Sequence, residues 1–473
     1  MSEWKKVKIG DICRIVKGTT GIASAEPGQY PLVVTAEERK TCSTYQFDCE
    51  AVCIPLVSSS GHGKKSLKNV HYQSGKFALG TILCAVIPNN SQELDARYLH
   101  QYLQFYKDII LVPLMKGAAN VSLSMKDIAT VEFPLPPIVR QRELSNLFVS
   151  LQEKQKELSA EYEKQTDYAK LLRQNILQQA IEGKLTADWR KQNPVQKGNP
   201  DYDAEALFEQ IQKGEVSPSL QPASQFSATP SPRGKAPKTP ENSREFFEEK
   251  LDSERKRTNN ARSKSLAPIT EEEKPFEISA GWKWVRLGEL CYFGSCQNIE
   301  PNYLRSDDWI LDLEDIEKDT GRIINFRTFS ENNSQSTKHI FHKGYILYSK
   351  LRPYLNKVVL APKDGYCTSE ILPLDFGISN NAKYMQMVLM SPYFVDYTTK
   401  LSYGMKMPRL GTNDGKNACV PLPPLKEQDE IVNKVETLLA KVTTLENQIQ
   451  NRKSLSDKLI FGIIKDAFEE KKA

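Results

Sequence analysis

The sequence predicts an α+β protein in which two β-rich globular domains are separated by a pair of long antiparallel coiled-coil helices. The chain is an internal repeat: "WKKVKIGDIC" at 4–13 recurs as "WKWVRLGELC" at 282–291. A proline-rich motif also recurs, as "FPLPPIVRQRE" at 133–143 and "VPLPPLKEQDE" at 420–430. A heptad-like apolar pattern follows each proline-rich motif, which is typical of a coiled-coil helix. Two copies of one unit in one chain predict pseudo-twofold symmetry.

The globular domains are predicted over 1–138 and 277–424. Short β-branched and aliphatic runs bounded by Gly, Pro, Ser and Lys predict strands; they lie at 51–58, 77–88, 344–351 and 356–362. Aromatic and aliphatic residues at helical spacing predict one core-packed helix in each copy, at 95–111 and 381–398. The two copies keep similar ends and have unlike middles, which suits one architecture that binds two different things.

The proline-rich motifs mark the point where each domain stops and a helix begins. Proline is excluded from helix interiors, whereas the following Arg, Gln and Glu are good helix formers. The helices are predicted over 139–184 and 425–473. From Gly117 and Gly404, which we expect to serve a shared turn, matching residues stay 287 positions apart to the helix ends. Insertions are therefore confined to the globular part.

Apolar residues at alternating steps of four and three define the predicted seam of the helix pair. The seam residues are Leu144, Phe148, Leu151, Leu158, Tyr162, Leu172 and Ile176, and Ile431, Val435, Leu438, Val442, Leu445, Ile449, Leu459 and Ile463. Each helix of about 40 residues is about 60 Å long. Two unrelated amphipathic helices, or homodimer seams, are the alternatives. The identical register in both copies favours an intramolecular antiparallel pair.

Residues 185–276 are predicted to be a flexible linker. Its centre, 217–243, is rich in Pro, Ser, Ala and Thr and poor in large apolar residues. The charged stretch 244–265 suits either a solvated helix or an irregular segment, and its basic runs are more often solvated than bound to nucleic acid.

Composition sets broad limits on the class of protein. The chain has 473 residues, 39% of them hydrophobic, a formal charge of +5 and nine cysteines without paired spacing. Unpaired thiols, the lack of a membrane-length apolar run and a start without a secretion-signal core predict a cytoplasmic location. The charge permits a polyanionic partner without requiring one.

We expect no catalytic or metal site in this chain. The stretch "SSSGHGKKS" at 58–66 lacks the spacing of a phosphate-binding loop, and no G-x-G-x-x-G follows a predicted strand. The acidic run 312–319 is better explained as a solvated turn than as a metal site. Histidines and cysteines lack metal-ligand spacing and are predicted to be ordinary or packed side chains; they are His62, His71, His339, His342, Cys42, Cys49 and Cys53.

The assembled pattern resembles the specificity subunits of type I restriction–modification systems. The paired opening motifs, the "PLPP" motifs and "LLRQNILQQAIEGKLT" at 171–186 carry the resemblance. So do two segments similar to target-recognition segments, "SSSGHGKKSLKNVHY" at 58–72 and "GYILYSKLRPYLNKV" at 344–358. The resemblance implies two target-recognition domains that each read half of a bipartite, asymmetric site in double-stranded DNA. It also implies methyltransferase subunits, usually two, and a motor-nuclease subunit as partners in phage defence. S-adenosylmethionine is then bound by the methyltransferase partner, and this chain binds no cofactor.

Polar residues in loops beside the extended runs are the candidate DNA contacts. They are Ser60, His62, Lys64, Lys65 and Lys68 in the first copy, and Lys350, Arg352, Tyr354, Asn356, Lys357, Lys406 and Arg409 in the second. Arg352 suits bidentate binding of guanine, whereas lysines more often contact phosphate. A solvated charge is the alternative for each lysine, and a carboxylate partner is the alternative for Arg352.

Two other classes of function stay open at this stage. A coiled-coil scaffold would bind proteins and lack sequence-specific DNA binding. A cryptic nuclease would cleave DNA with a divalent metal, but the sequence offers no motif for it. Neutralising Lys64, Arg352 and Lys357 together separates the scaffold from the DNA-recognition subunit, since only the latter loses function.

Overall fold

A computed structural model of the chain divides into two compact units: unit 1 comprises Met1–Gln165 and Gln448–Ala473, and unit 2 comprises Thr166–Asn447. The structure describes residues 4–60, 63–118, 120–213, 266–332, 334–377 and 381–469. Each long helix contributes one part of its length to each unit.

Unit 1 is a β-rich domain followed by the first long helix. Its strands are β1 Lys5–Lys8, β2 Cys13–Lys17, β3 Tyr30–Val33, β4 Lys40–Cys42, β5 Phe47–Asp48, β6 Ala51–Pro55, β7 His71–Gln73, β8 Lys76–Leu79, β9 Leu83–Pro88 and β10 Glu132–Leu135. Its helices are α1 Ile9–Ile12, α2 Ala96–Ile110, α3 Met125–Ala129 and the start of α4 Ile138–Ile181. The strands form sheets in the orders β2-β9-β6-β7, β4-β3-β8-β5 and β1-β10.

Unit 2 repeats this plan with the second long helix. Its strands are β11 Lys283–Arg286, β12 Asn298–Ile299, β13 Trp309–Leu311, β14 Arg327–Thr328, β15 Lys338–Phe341, β16 Ile346–Ser349, β17 Val358–Leu360, β18 Gly365–Thr368, β19 Ile371–Leu374 and β20 Cys419–Leu422. Its helices are α5 Ala187–Gln192, α6 Ala204–Lys213, α7 Leu287–Leu290, α8 Phe329–Asn332, α9 Ala382–Met390, α10 Pro392–Leu401, α11 Thr412–Asn417 and the start of α12 Leu425–Glu469. The sheet orders are β17-β16-β19, β12-β15-β18-β13-β14 and β11-β20.

The sheets confirm the internal repeat. The order β4-β3-β8-β5 is matched by β14-β13-β18-β15, and in both sheets the central pair is parallel while its flanking pairs are antiparallel. Each domain is closed by an antiparallel pairing of its first and last strands, in which Lys5 faces Leu135 and Lys283 faces Leu422. The recurring opening and proline-rich motifs are therefore paired strands that bring the ends of each domain together.

A buried glutamine explains why each proline-rich strand runs directly into a helix. Gln141 is fully buried in the first turn of α4, where its Nε2 donates to the Pro136 carbonyl at 2.8 Å and its Oε1 accepts the Asp95 N–H at 2.9 Å. Gln428 repeats this in α12, with bonds to the Pro423 carbonyl at 3.0 Å and the Asn381 N–H at 2.8 Å. Because Asp95 and Asn381 cap α2 and α9, this glutamine ties the long helix to the domain's own helix.

The long helices run antiparallel within each unit, as the heptad pattern predicts. In unit 1, Phe148 packs against Phe468 with ring centroids 6.0 Å apart, and Gln155 Nε2 donates to Asp457 Oδ1 at 3.1 Å. Residue numbers therefore rise along α4 as they fall along α12. Unit 2 shows the same sense, because Arg173 pairs with Glu446 at 2.9 Å. Farther along, Lys434 Nζ donates to the Leu185 carbonyl at 3.2 Å.

The predicted seam is wrong at Leu172, Leu445, Leu459 and Ile463, which are exposed by 43%, 46%, 65% and 37%. Their C-terminal neighbours face inward instead: Arg173 and Glu446 form the pair described above, and Ile460 and Ile464 are buried. The physical reason is that an α-helix repeats every 3.6 residues, so a strict 3.5-residue pattern falls out of phase with the buried stripe. In the structure, one additional four-residue spacing between inward-facing residues brings the buried stripe back into phase with the helix.

Two further expectations differ from the structure. The helix predicted over 381–398 is two helices, because Ser391 ends α9, accepts the Phe394 N–H at 3.3 Å and precedes Pro392, which has no N–H to donate. The linker predicted over 185–276 is helical at α5 and α6, and Leu207 and Ile211 are buried in the core of unit 2. The middle of the predicted linker, 214–265, lies outside the described residues.

Candidate functional site

In each unit, a hairpin is hydrogen-bonded to the segment that follows one strand, β6 in unit 1 and β16 in unit 2. In unit 1, Lys116 and Ser122 exchange two backbone hydrogen bonds of 2.8 Å, and the Ser58 N–H donates to the Val121 carbonyl at 3.0 Å. In unit 2, the Tyr403 and Arg409 backbones exchange bonds of 3.1 and 2.9 Å, and the Arg352 N–H donates to the Pro408 carbonyl at 2.7 Å. We call residues 116–122 and 403–409 the glycine hairpins.

A glycine at the same position makes each hairpin possible. Gly117 has φ of 121° and Gly404 has φ of 104°, in the region that side chains disfavour. A Cβ at Gly117 would lie 2.2 Å from the Asn120 carbonyl oxygen, and one at Gly404 would lie 3.2 Å from that of Met407. The shared turn predicted at these positions is therefore confirmed.

In unit 1 the glycine hairpin borders a loop that contains most of the first copy's predicted contacts. Ser58 closes the loop, because its Oγ donates to the Lys64 carbonyl at 2.5 Å and accepts the Ser66 N–H at 3.2 Å. Ser60 is part of the same closure through a 2.8 Å bond to the Ser66 hydroxyl. Buried Leu67 anchors the loop. Exposed side chains project from it at Lys64, Lys65 and Lys68, whereas His62 lies outside the described residues.

In unit 2 the corresponding segment places Arg352 beside the glycine hairpin. Arg352 has φ of 50°, and its Nη2 lies 3.4 Å from the Lys406 carbonyl oxygen, while its buried Nε has no hydrogen-bond partner among the described residues. Tyr354 is 45% exposed and Lys406 is exposed, whereas Lys350 is half-buried. The segment therefore exposes polar and cationic side chains that are available to contact another molecule.

The structure engages three of the predicted contacts within the fold. Asn356 is buried and donates to the Met390 carbonyl at 3.1 Å. Lys357 donates to the Leu313 carbonyl at 2.6 Å, and burial lowers the pKa of its amine. Arg409 donates to Glu370 with two nitrogens at 2.9–3.1 Å. This is the bidentate carboxylate pairing that the sequence analysis gives as the alternative role of Arg352. These side chains shape the loop that holds Arg352 and the hairpin.

Sequence reasoning missed a cluster at Arg39 in unit 1. Its guanidinium donates to His71 Nδ1 at 3.2 Å, to the Tyr72 carbonyl at 3.2 Å and to Gln73 Oε1 at 3.1 Å. Burial, and then the charge of Arg39, lower the pKa of His71 to about 4. His71 is therefore neutral near neutral pH. No sequence pattern indicates that Arg39, in a loop, contacts His71, in a strand 32 positions later.

No metal-binding group of three or more His, Cys, Asp or Glu is found among the described residues. Cys42 and Cys53 are buried, as the sequence predicts, and Cys49 is half-buried. Burial raises the pKa of Cys84 to about 12, so this thiol is a packed group rather than a nucleophile. Within the described part of the chain, no helix has the length and apolarity needed to cross a membrane.

The sequence matches the family described as "Type I restriction modification DNA specificity domain" over residues 1–165 and again over 280–452. The chain belongs to this specificity family. Its two matches coincide with the two copies of the internal repeat, so each copy carries one specificity domain. The fold class predicted from the sequence, two β-rich domains with a pair of long helices, is the fold of this family.

The chain is similar along nearly its whole length to a known specificity protein. The type I restriction enzyme EcoDI specificity subunit of Escherichia coli is 25% identical over 467 residues, which cover 98% of this chain and 88% of that protein. The EcoBI specificity subunit of the same organism is 34% identical over 85 residues, or 18% of each chain. A chain solved in a study of complex assembly and conformational transition of the type I R-M system covers 99% of this chain, with a TM-score of 0.56 and 15% identity. That likeness is one of fold.

Proposed function

We propose that this chain is the DNA-recognition subunit of a type I restriction–modification complex in the cytoplasm. Each specificity domain reads one half of a bipartite, asymmetric site in double-stranded DNA, and partner subunits carry out methylation and cleavage. The observation that carries the proposal is the repeat itself: the same glycine hairpin docks beside two unlike loops, one in each specificity domain. Two domains that share a hairpin but differ in the loop beside it suit a protein that binds two different half-sites with the same geometry.

The proposed DNA contacts are the predicted residues that the fold leaves exposed or unpaired. Lys64, Lys65 and Lys68 in unit 1 are exposed, and we propose that they contact phosphate, as exposed lysines in DNA-binding loops commonly do. In unit 2, Arg352 is partly exposed and its terminal Nη2 makes only a long bond of 3.4 Å, so its terminal nitrogens are the proposed guanine contacts, with Tyr354, Lys350 and Lys406 in the same loops. Exposed Ser60 extends the unit 1 set, and His62, which lies outside the described residues, is retained from the sequence prediction. Asn356, Lys357 and Arg409 support the unit 2 loop and are not retained as contacts.

The exposed apolar residues of the long helices support the proposal of protein partners. Tyr168 and Leu172 in unit 2 are 58% and 43% exposed, and their equivalents 287 positions later in unit 1, Leu455 and Leu459, are both 65% exposed. Equivalent apolar surface on each unit suits one methyltransferase subunit per unit, hence two copies. S-adenosylmethionine is bound by those subunits in this proposal, and a motor-nuclease subunit completes the complex.

Mapping modified bases tests the proposal directly. The chain is expressed with its partner subunits, and methylated positions are mapped in host DNA with and without this chain. We expect a split motif with two unlike halves that disappears when the chain is absent. A continuous motif, or methylation that does not depend on the chain, would contradict it.

A matched pair of variants links the motif to the loops. Lys64→Ala/Lys65→Ala removes two exposed charges from the unit 1 loop, whereas Lys154→Ala/Lys156→Ala removes two exposed charges from α4 in the same unit. We expect only the loop variant to weaken methylation, and to flatten the salt dependence of DNA binding by up to about two phosphate contacts. Equal effects would favour the scaffold alternative, in which no loop reads DNA.

A further inference from the structure

The glycine hairpin of unit 2 exposes three large apolar side chains, two between its closing residues and one, Tyr403, at its base. Met405 is fully exposed, at 105%, Tyr403 is 65% exposed and Met407 is 50% exposed. Apolar surface left in water forgoes about 25 cal/mol per Å² of transfer free energy, so a cluster of this kind on a loop marks a binding surface. None of the described residues of unit 2 covers the Met405 side chain.

The base of this hairpin is held rigidly. Tyr403 and Arg409 exchange two backbone hydrogen bonds, and the Arg409 guanidinium is fixed by Glu370 at 2.9–3.1 Å. The Leu410 N–H donates to the Lys350 carbonyl at 3.0 Å, which ties the hairpin to the loop before it. Because the base is already fixed, insertion of the tip into a partner requires less ordering of the backbone on binding than a free loop would.

Cationic groups flank the apolar tip. Lys406 lies between Met405 and Met407 in the chain and is exposed. Arg352 approaches the Lys406 carbonyl from the adjoining loop, at 3.4 Å. A partner that fits this surface has negatively charged groups that contact Lys406 and Arg352, and apolar groups next to them that contact Met405. Duplex DNA fits, because its phosphates flank stacked bases, and methionine is among the side chains that proteins insert between base steps.

The equivalent hairpin of unit 1 lacks the apolar tip. It has the same pair of backbone bonds, between Lys116 and Ser122, but carries Ala118 where unit 2 has Met405 and Asn120 where unit 2 has Met407. The frame is therefore shared while the tip differs. The full exposure of Met405 excludes a packing role for its side chain within unit 2, so the difference at this position concerns what each hairpin touches.

We infer that Met405 is a wedge that unit 2 inserts between two base pairs of its half-site from the minor groove, unstacking them, and that unit 1 has no such wedge. This inference rests on the proposed function and adds to it a distortion confined to one half-site. The unstacked step contributes to sequence selection because some base steps open more easily than others.

The test uses the complete methyltransferase complex and duplexes that contain its mapped motif. Fluorescent 2-aminopurine replaces, one at a time, the purines of both half-sites other than the methylated base. We expect fluorescence to rise on binding at one step of one half-site only. Met405→Ala should abolish that rise and weaken binding about tenfold. Met405→Leu, which keeps an apolar wedge, should retain both.

Matched controls decide between the wedge and other occupants of the hairpin tip. Ile324→Ala removes an equally apolar side chain, 55% exposed, from unit 2 outside the hairpin and should change neither readout. The inference is overturned if Met405→Ala binds and unstacks DNA like the wild type. It is also overturned if uracil in place of thymine reproduces the loss, which indicates a methyl contact, or if Met405→Ala releases the partner subunits, which indicates a protein contact. Absence of any split motif would instead defeat the proposed function.

Discussion

The indole nitrogen of Trp282 donates to Oε2 of Glu427 at 2.8 Å, which joins the start of the second domain to the first turn of α12. Oε1 of the same carboxylate accepts from the Thr186 hydroxyl at 2.6 Å and pairs with Arg190. Glu427 is 1% exposed, so its charge depends on these donors. The segment after α4 is thus part of unit 2.

Glu427→Gln should destabilise unit 2 by about 3–5 kcal/mol, because it leaves the Arg190 charge without its buried partner. Glu436→Gln is the control: Glu436 pairs with Lys383, both about half exposed, and should lose less than about 1 kcal/mol. Urea unfolding of the two variants measures the difference. Equal losses would show that the Trp282–Glu427 network does not stabilise the unit.

Gln141→Ala and Gln428→Ala should have similar effects, since each glutamine bonds a proline carbonyl and a helix-capping N–H. Removing either leaves buried backbone groups unpaired, and we expect a loss of about 2–3 kcal/mol. Gln155→Ala removes a bond between partly exposed side chains and should be nearly neutral. A large loss for one glutamine and none for the other, by chemical unfolding, would contradict the shared role.

Gly117→Ala should destabilise its hairpin more than Gly404→Ala, because its Cβ would lie 2.2 Å from a carbonyl oxygen rather than 3.2 Å. Both have positive φ, so both should lose at least about 1 kcal/mol. Gly462→Ala in α12 has open space around its Cβ and should gain about 1 kcal/mol. Unfolding midpoints of the three variants give the order; a neutral Gly117→Ala would refute the predicted turn.

His71 should make unit 1 less stable as the pH falls. Its pKa in the folded protein, about 4, is below the usual value of about 6.5, so the unfolded chain takes up the proton first. The contribution is fully present above about pH 6.5 and is lost by about 1.4 kcal/mol per pH unit toward pH 4. We expect His71→Gln to show a smaller loss than the wild type between about pH 7.5 and about pH 5. Identical pH profiles would contradict the burial of a neutral His71.

The sequence predicted the repeat, the helix starts after the proline-rich motifs and the antiparallel helices because these depend on patterns that recur at fixed spacing. It misplaced Leu172 and Leu459 because a heptad template carries a 3.5-residue period along a 3.6-residue helix. It missed the folding of α6, although Ala204, Leu207 and Ile211 have helical spacing, because composition of the whole 185–276 stretch obscured it.

The candidate site was predictable only in part. Glycine-flanked loops with lysines predicted exposed cationic side chains, and Lys64, Lys65 and Lys406 are exposed in the structure. The fold's use of Asn356 and Arg409 depends on partners distant in sequence, Met390 and Glu370, that no local pattern reveals.

We also propose that the two long helices set the distance between the two half-sites, and a matched insertion in both helices tests this most directly. Four residues, one helical turn of about 6 Å, are added after Gln165 and after Asn447, where unit 1 and unit 2 divide. We predict that methylation mapping returns the same two half-sites, separated by a spacer that is about one or two base pairs longer. The added length of about 6 Å corresponds to about two pairs, because each pair adds about 3.4 Å along the duplex. An unchanged spacer, or half-sites of altered sequence, would contradict the claim.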